Sequence, residues 1–305
     1  MRLLRLWTSL WLALVAGNAE TITLATYNVE NYGSVDRMTE AGFRSDYPKP
    51  EAEKTALRTV IRALHADVLA LQEIGSASAL EELRRDLKAE GLEYRHSAFL
   101  EAADAERHLA LLSRLPLLAI RLHASLAFAY RGGEERVKRG LLEAVVGTAS
   151  GDLTIFVLHL KSHLTERPDD PEAAARRAAE AGAIRACVCE RFPDRSSGRF
   201  VILGDCNDGA RSPALRRLAY AGAAAVAWRL PAVDSRGEAW TEFYRRGESY
   251  VTLDHVLVSP QLRAAVCGGS ARIYDGPGVG EASDHRPVLA ILRFEPAPLV
   301  RARRP

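Results

Sequence analysis

The sequence predicts a single-domain, layered α/β fold with mixed sheets. Three observations carry this expectation. Short apolar runs of strand length alternate with segments of helical periodicity, hairpin-like strand pairs interrupt the alternation, and no fixed-period repeat or low-complexity linker divides the chain. The 305 residues suffice for one large domain or two small ones. The hydrophobic share of 48% and charged share of 26% are those of an ordinary globular protein. No stretch reaches the ~18 apolar residues of a membrane span. The net charge of +2 does not by itself imply a polyanionic partner.

In chain order, Arg2 and Arg5 precede an apolar run from Leu6 to Ala16, and Gly17-Asn18-Ala19 offers small residues for cleavage. Residues 1–19 thus read as a secretory signal peptide, with an uncleaved anchor as the alternative. The mature chain would start near Glu20 and be exported, to a periplasm or the extracellular space. Thr21–Val29 alternates as a strand, and a polar loop is expected through Pro50. Pro50 opens a helix with Glu51 and Glu53 in its first turn and an apolar face at Ala56, Leu57, Val60, Ile61 and Leu64. Asp67–Glu73 is a second buried strand, ending in a carboxylate. Ser78 is the expected cap of a helix with Leu80, Leu83 and Leu87 on one face.

Strands follow at Leu109–Leu112, Leu117–Leu122, Leu141–Val146 and Leu153–Leu158, with a loop expected over Ser125–Glu135. A long Ala- and Arg-rich helix begins at Pro171, and a shorter one at Pro213. Phe200–Leu203, Val251–Val258 and Pro287–Leu292 complete the strands, and a basic tail (296–305) ends the chain. Cys187 and Cys189 lie two apart on the expected helix and diverge, and Cys206 and Cys267 show no zinc spacing, so core packing is the expected role of all four.

Strand after strand ends in a polar residue: Asn28, Glu73, His159, and Asp205 with Asn207, while Asp284-His285 introduces the last strand. Functional groups of layered α/β folds gather at strand ends. Carboxylate and amide oxygens suit a hard cation such as Mg²⁺, Mn²⁺ or Ca²⁺, and the histidines suit proton transfer. On an extended chain Asp205 and Asn207 share a face, with Cys206 turned into the core. Nucleophile-elbow, Gly-rich phosphate-loop and HExxH motifs are lacking.

Seven segments in order resemble the endonuclease/exonuclease/phosphatase superfamily, which includes deoxyribonuclease I, repair nucleases, inositol polyphosphate 5-phosphatases and bacterial sphingomyelinases. They are Thr26-Tyr27-Asn28-Val29-Glu30-Asn31, Leu71-Gln72-Glu73, Leu111-Leu112-Ser113-Arg114-Leu115-Pro116, Leu158-His159-Leu160-Lys161, Gly204-Asp205-Cys206-Asn207, Leu253-Asp254-His255-Val256-Leu257-Val258-Ser259 and Ser283-Asp284-His285-Arg286-Pro287-Val288. The resemblance implies a four-layer α/β/β/α sandwich over residues 20–295, made of two mixed, mostly antiparallel sheets flanked by helices. It implies Glu73 as principal metal ligand, for Mg²⁺ with Mn²⁺ or Ca²⁺ as alternatives, and Asn28 and Asp284 as its partners. Asp205 would orient or deprotonate the attacking water, and Asn207 would hold phosphate or nucleophile. Asp254 would pair with the catalytic His285, and His159 would stand near the leaving oxygen.

Lys161 and Arg139 are candidates for a phosphate contact. Glu106 is a candidate partner of His159, and Thr241 and Tyr244 either line the site or pack. His163 and His255 read as structural. The Asn-Val-Glu-Asn run resembles secreted bacterial nucleases of the superfamily. The expected activity is therefore an exported, metal-dependent phosphodiesterase cleaving DNA or RNA, with no obligate protein partner. A phospholipid or small-phosphoester hydrolase is the alternative, with Leu126, Phe128 and Tyr130 as an apolar loop meeting membrane lipid. A non-catalytic binding protein is a third.

Overall fold

The computed structural model describes residues 19–295 apart from positions 40, 166, 195 and 246. The expected signal peptide, save Ala19, and the basic tail 296–305 lie outside the described residues. Two sheets pack face to face. One has seven strands in the order Ala232–Val233, Ala271–Ile273, Val288–Phe294, Glu20–Tyr32, Val68–Ile74, His108–Ser113, His96–Leu100. The other has six, in the order Trp228–Arg229, Asp254–Val258, Phe200–Asp205, Leu153–His159, Leu141–Val146, Leu117–His123. Most neighbours are antiparallel. The strand Glu20–Tyr32 runs parallel to Val68–Ile74, and Leu153–His159 parallel to Phe200–Asp205.

The period of two along each strand decides the layers. Ile22 and Leu24 face the other sheet, where Leu142, Ile155, Val157, Leu203 and Val256 meet them. Ala25, Tyr27 and Val29 face outward, onto Leu57, Val60 and Ile61 of the helix Glu51–Leu64 and Leu80 and Leu83 of the helix Ala77–Ala89. On the far side, Phe156, Phe200 and Ile202 pack on Ala181, Ile184 and Val188 of the helix Ala174–Arg191 and on Leu215 and Leu218 of Pro213–Ala219. Both faces of the central strands are thus covered, which is why these read as continuous apolar runs, whereas the edge strand Leu117–His123 exposes Leu118, Ile120 and Leu122. The four layers are those the resemblance implied. Among the described residues no helix is long and apolar enough to cross a membrane.

Four local expectations are corrected. The polar stretch before Pro50 is a hairpin, Ser34–Thr39 with Gly42–Pro48, whose strands face solvent even at Met38, Phe43 and Tyr47 and so show no regular alternation. The 125–135 loop is also a hairpin, and Phe128 and Tyr130 fold inward, with Tyr130 Oη donating to Asp170 at 2.8 Å. The second helix is capped by Ser76, whose side chain accepts from Ala79 N at 3.1 Å, rather than by Ser78. Val251–Val258 is split into Ser249–Val251, in a small hairpin, and Asp254–Val258, in the main sheet. Between them the Thr241 hydroxyl accepts from the N–H groups of Leu253 and Asp254 and interrupts the ladder.

Candidate active site

Three side chains stand abreast in the six-stranded sheet. Asp205 pairs in register with His159 on its parallel neighbour and with Asp254 on its antiparallel one. Directly opposed residues point to the same face, so all three reach the seam between the sheets. His159 Nε2 lies 3.3 Å from Asp205 Oδ2, and His285 Nδ1 lies 2.8 Å from Asp254 Oδ2. The other ring nitrogen of His285 faces Asp205 Oδ2 at 4.0 Å. From the seven-stranded sheet, Asn28 Nδ2 crosses the seam, donating to Asp205 Oδ2 at 3.0 Å and to Glu73 Oε1 at 3.3 Å.

Local backbone conformation delivers these groups. The ladder between Glu20–Tyr32 and Val68–Ile74 shifts register after Asn28, and that between Val68–Ile74 and His108–Ser113 shifts after Gln72. There Glu30, Asn31 and Glu73 adopt positive φ (48°, 53° and 67°), conformations that non-glycine residues hold only where their surroundings enforce them. The kinks bring Asn31 N to Glu73 Oε2 at 3.0 Å. Gly204 has φ 147°, and a Cβ there would lie 2.0 Å from the Leu158 carbonyl oxygen, so only glycine fits between the two parallel strands.

Cys206 is buried among the outer-layer residues, as alternation requires. Asn207 reaches Asp205 by a different route from the extended chain first expected. It turns left-handed (φ 49°), its N–H donates to Asp205 Oδ1 at 2.7 Å, and its Nδ2 donates to Asp205 Oδ2 at 3.3 Å and to Leu160 O at 3.0 Å.

Burial pushes the Asp205 carboxyl up to about 7; the charge on Asp254 adds to this, while His285 and the bonds from Asn207 and Asn28 oppose it. Burial also works against charging His285, but the charge and hydrogen bond of Asp254, then Asp205, hold it well above the ordinary histidine value. His159 goes the other way: burial, then Arg139 and His285, pull it well below. The surroundings thus bias the two imidazoles oppositely, His285 toward its charged form and His159 toward its neutral form, around a carboxyl raised to about 7.

Further contacts lock the constellation. Thr241 fixes Asp254 through its hydroxyl, and its carbonyl accepts from Arg286 N at 2.6 Å. Ser283 Oγ donates to Asn28 O at 2.9 Å and accepts from His285 N at 3.0 Å. Arg139 is 4% exposed and committed to Asp104 Oδ2 at 2.8 Å and Leu160 O at 2.9 Å, so it is not free to take a phosphate. Lys161 is half-buried at the rim and donates to Ser162 and to Leu164 O; burial and then Arg139 bring its pKa down to about 8. Glu106 pairs with Arg107 at 2.9 Å instead of with His159, whose buried Nδ1 has no partner among the described residues. Tyr244 and His163 are exposed, and buried His255 faces Asp208 O at 2.9 Å.

Sequence reasoning passed over Glu30, Glu242 and Arg107. Glu30 Oε2 accepts from Asp284 N at 3.1 Å. Ligand atoms of Glu242, Asp284 and His285 all lie within 4.8 Å of one another. Glu30 was two residues from Asn28 and open to discovery; Glu242 comes in only through a bridge to His285. The donor set fits a hard divalent cation. Asn28, Glu30, Glu73, Asp284 and Glu242 offer oxygen ligands, and the side-chain oxygen of Asn31, beside Glu73, is buried with no donor among the described residues.

A model of the Endonuclease/Exonuclease/phosphatase family matches residues 25–285. No curated protein sequence matches the chain significantly. Among solved structures, sphingomyelinase C from Streptomyces griseocarneus is similar at TM-score 0.61 and 14% identity, over 90% of this chain and 99% of that one. A beta toxin mutant from Staphylococcus aureus with bound magnesium ions gives 0.61 and 12%, over 89% and 99%. The human nocturnin catalytic domain with bound sulfate gives 0.59 and 14%, over 90% and 97%. At these identities the likeness is one of fold.

Proposed function

The chain belongs to the endonuclease/exonuclease/phosphatase family, and from that membership and the site's geometry we propose that it is an exported, metal-dependent phosphodiesterase that cleaves nucleic acid. One observation carries the reading: ring nitrogens of His159 and His285 converge on Asp205 Oδ2, at 3.3 Å and 4.0 Å, and Asn28 links Asp205 to Glu73 beside a cluster of hard oxygen donors. Glu73, Asn28 and Asp284, with Glu30, would hold Mg²⁺ or Mn²⁺. The cation supplies Lewis-acid stabilisation of the charge that grows on phosphate oxygens.

The protein's own groups do the rest. Asp205 takes a proton from water as the water oxygen bonds to phosphorus. The phosphorus–oxygen bond to the leaving group breaks, and imidazolium His285 gives that oxygen a proton. Asp254 keeps His285 charged and aimed. His159 faces Asp205 through Nε2 at 3.3 Å, and the Asn207 turn holds the carboxylate in place.

Nucleic acid is favoured over lipid by the rim. Arg107 stands 3.8 Å from Glu73 and Lys161 lies two residues after His159, whereas the apolar loop on which a lipid reading rested folds inward at Phe128 and Tyr130. Export rests on the signal-like N-terminus. The decisive assay gives mature protein and Mg²⁺ plasmid, linear and single-stranded DNA, RNA, sphingomyelin and a generic bis-ester. Cleavage of DNA or RNA is expected; turnover of sphingomyelin alone would reassign the substrate.

A further inference from the structure

The open side of Glu73 is covered by a cation. Arg107 Nε lies 3.8 Å from Glu73 Oε1, the same oxygen that faces His159 Nε2 at 4.0 Å and takes the Asn28 amide at 3.3 Å. The Glu73 side chain is 14% exposed and that of Arg107 is 30% exposed. The backbone beneath Arg107 is pinned. Asp104 Oδ1 accepts from the N–H groups of Glu106 and Arg107, and Asp104 Oδ2 is held by Arg139 and faces Lys138 Nζ at 3.4 Å. Arg139 in turn donates to the carbonyl of Leu160, next to His159.

We propose that Arg107 is the substrate-positioning guanidinium of this site, and that a divalent cation displaces it from Glu73 to face a non-bridging phosphate oxygen. The proposal rests on the phosphodiesterase reading above. Without the cation, a largely buried carboxylate needs a counter-charge, and Arg107 supplies it. A doubly charged ion on Glu73 repels the guanidinium at such short range. The half-buried head of Arg107 is otherwise held only by the exposed Glu106, whose Oε2 accepts from Nη1 at 2.9 Å, so it can swing on its fixed backbone, and its planar fork matches two oxygens of a phosphate. Arg139, buried and fully engaged, has no such freedom; it anchors the segment that presents Arg107.

Calorimetry with Mg²⁺ alone and steady-state kinetics on a bis-aryl phosphodiester test this, using wild type, Arg107→Ala and Arg107→Lys. Arg107→Ala is expected to bind Mg²⁺ several-fold tighter, because the competing cation is gone. Its KM should rise about tenfold with a smaller change in kcat, the mark of lost uniform binding. Arg107→Lys should keep the wild-type Mg²⁺ affinity but not the wild-type KM, since a point charge does not replace a fork. Unchanged Mg²⁺ affinity and KM in Arg107→Ala overturn the proposal. So does weaker Mg²⁺ binding, which would make Arg107 a mere support of Glu73. If wild type binds Mg²⁺ but hydrolyses no phosphodiester, the functional reading fails and takes the phosphate role with it, while calorimetry still decides the counter-ion role.

Discussion

His285 Nδ1 and Asp254 Oδ2 are 2.8 Å apart and buried, 31 residues apart in the chain. The pair makes His285 an imidazolium at neutral pH, against the pull of burial. Asp254→Asn removes the charge that raises the histidine. The alkaline limb of the pH–kcat/KM profile should then move down toward neutrality, and activity should fall about 10²–10⁴-fold. An unmoved limb would show that His285 is not the titrating acid.

Asp205 is raised in the folded state, so its protonated form is the more stable one in the native protein. Activity that needs its carboxylate should rise as pH increases through about 7. Stability should do the reverse, because between the ordinary aspartate value and about 7 the native state binds the extra proton, and unfolding is favoured as pH rises. Asp205→Ala should abolish turnover by orders of magnitude and flatten this part of the stability–pH curve in urea melts. Comparable turnover would remove Asp205 from the mechanism.

Gly204→Ala tests the packing that brings His159 beside Asp205. The added methyl meets the Leu158 carbonyl oxygen at 2.0 Å in a backbone conformation L-residues avoid. A loss of about 3 kcal/mol or more is expected in denaturant titration. A midpoint equal to wild type would mean that the two strands can part freely.

Chelation should silence the enzyme, and Mg²⁺ or Mn²⁺ should restore it. Because the cation binds only the folded site, Mg²⁺ at about 100 times its Kd should stabilise by about 2.7 kcal/mol, read as a higher Tm. Glu73→Gln should abolish both responses. A Tm indifferent to Mg²⁺ in wild type would argue against Glu73 as a ligand.

The seven segments were legible because each sets polar groups against one end or the other of an apolar run, and the layered fold follows from central runs buried on both faces. The rest depended on contacts distant in sequence. Arg139 looked available for phosphate until Asp104, 35 residues earlier, claimed it. Glu242 joins the site by bridging His285 across 43 positions. The hairpin Ser34–Thr39 with Gly42–Pro48 buries only Val35, too little to produce alternation, so its strands resembled a loop. Asn207 was assigned to the right place by the wrong geometry, since a left-handed turn delivers it.

The bond from Asn28 to Asp205 joins residues 177 positions apart, one from each sheet. Circular dichroism needs only the sheets, whereas turnover needs both sheets and their docking across the seam. A refolding chain should thus regain its ultraviolet circular dichroism first and its turnover afterwards. Gentle heating should reverse the sequence, with catalysis failing while the strands are still intact. Turnover here is in effect a gauge of how closely the two halves of the sandwich are docked.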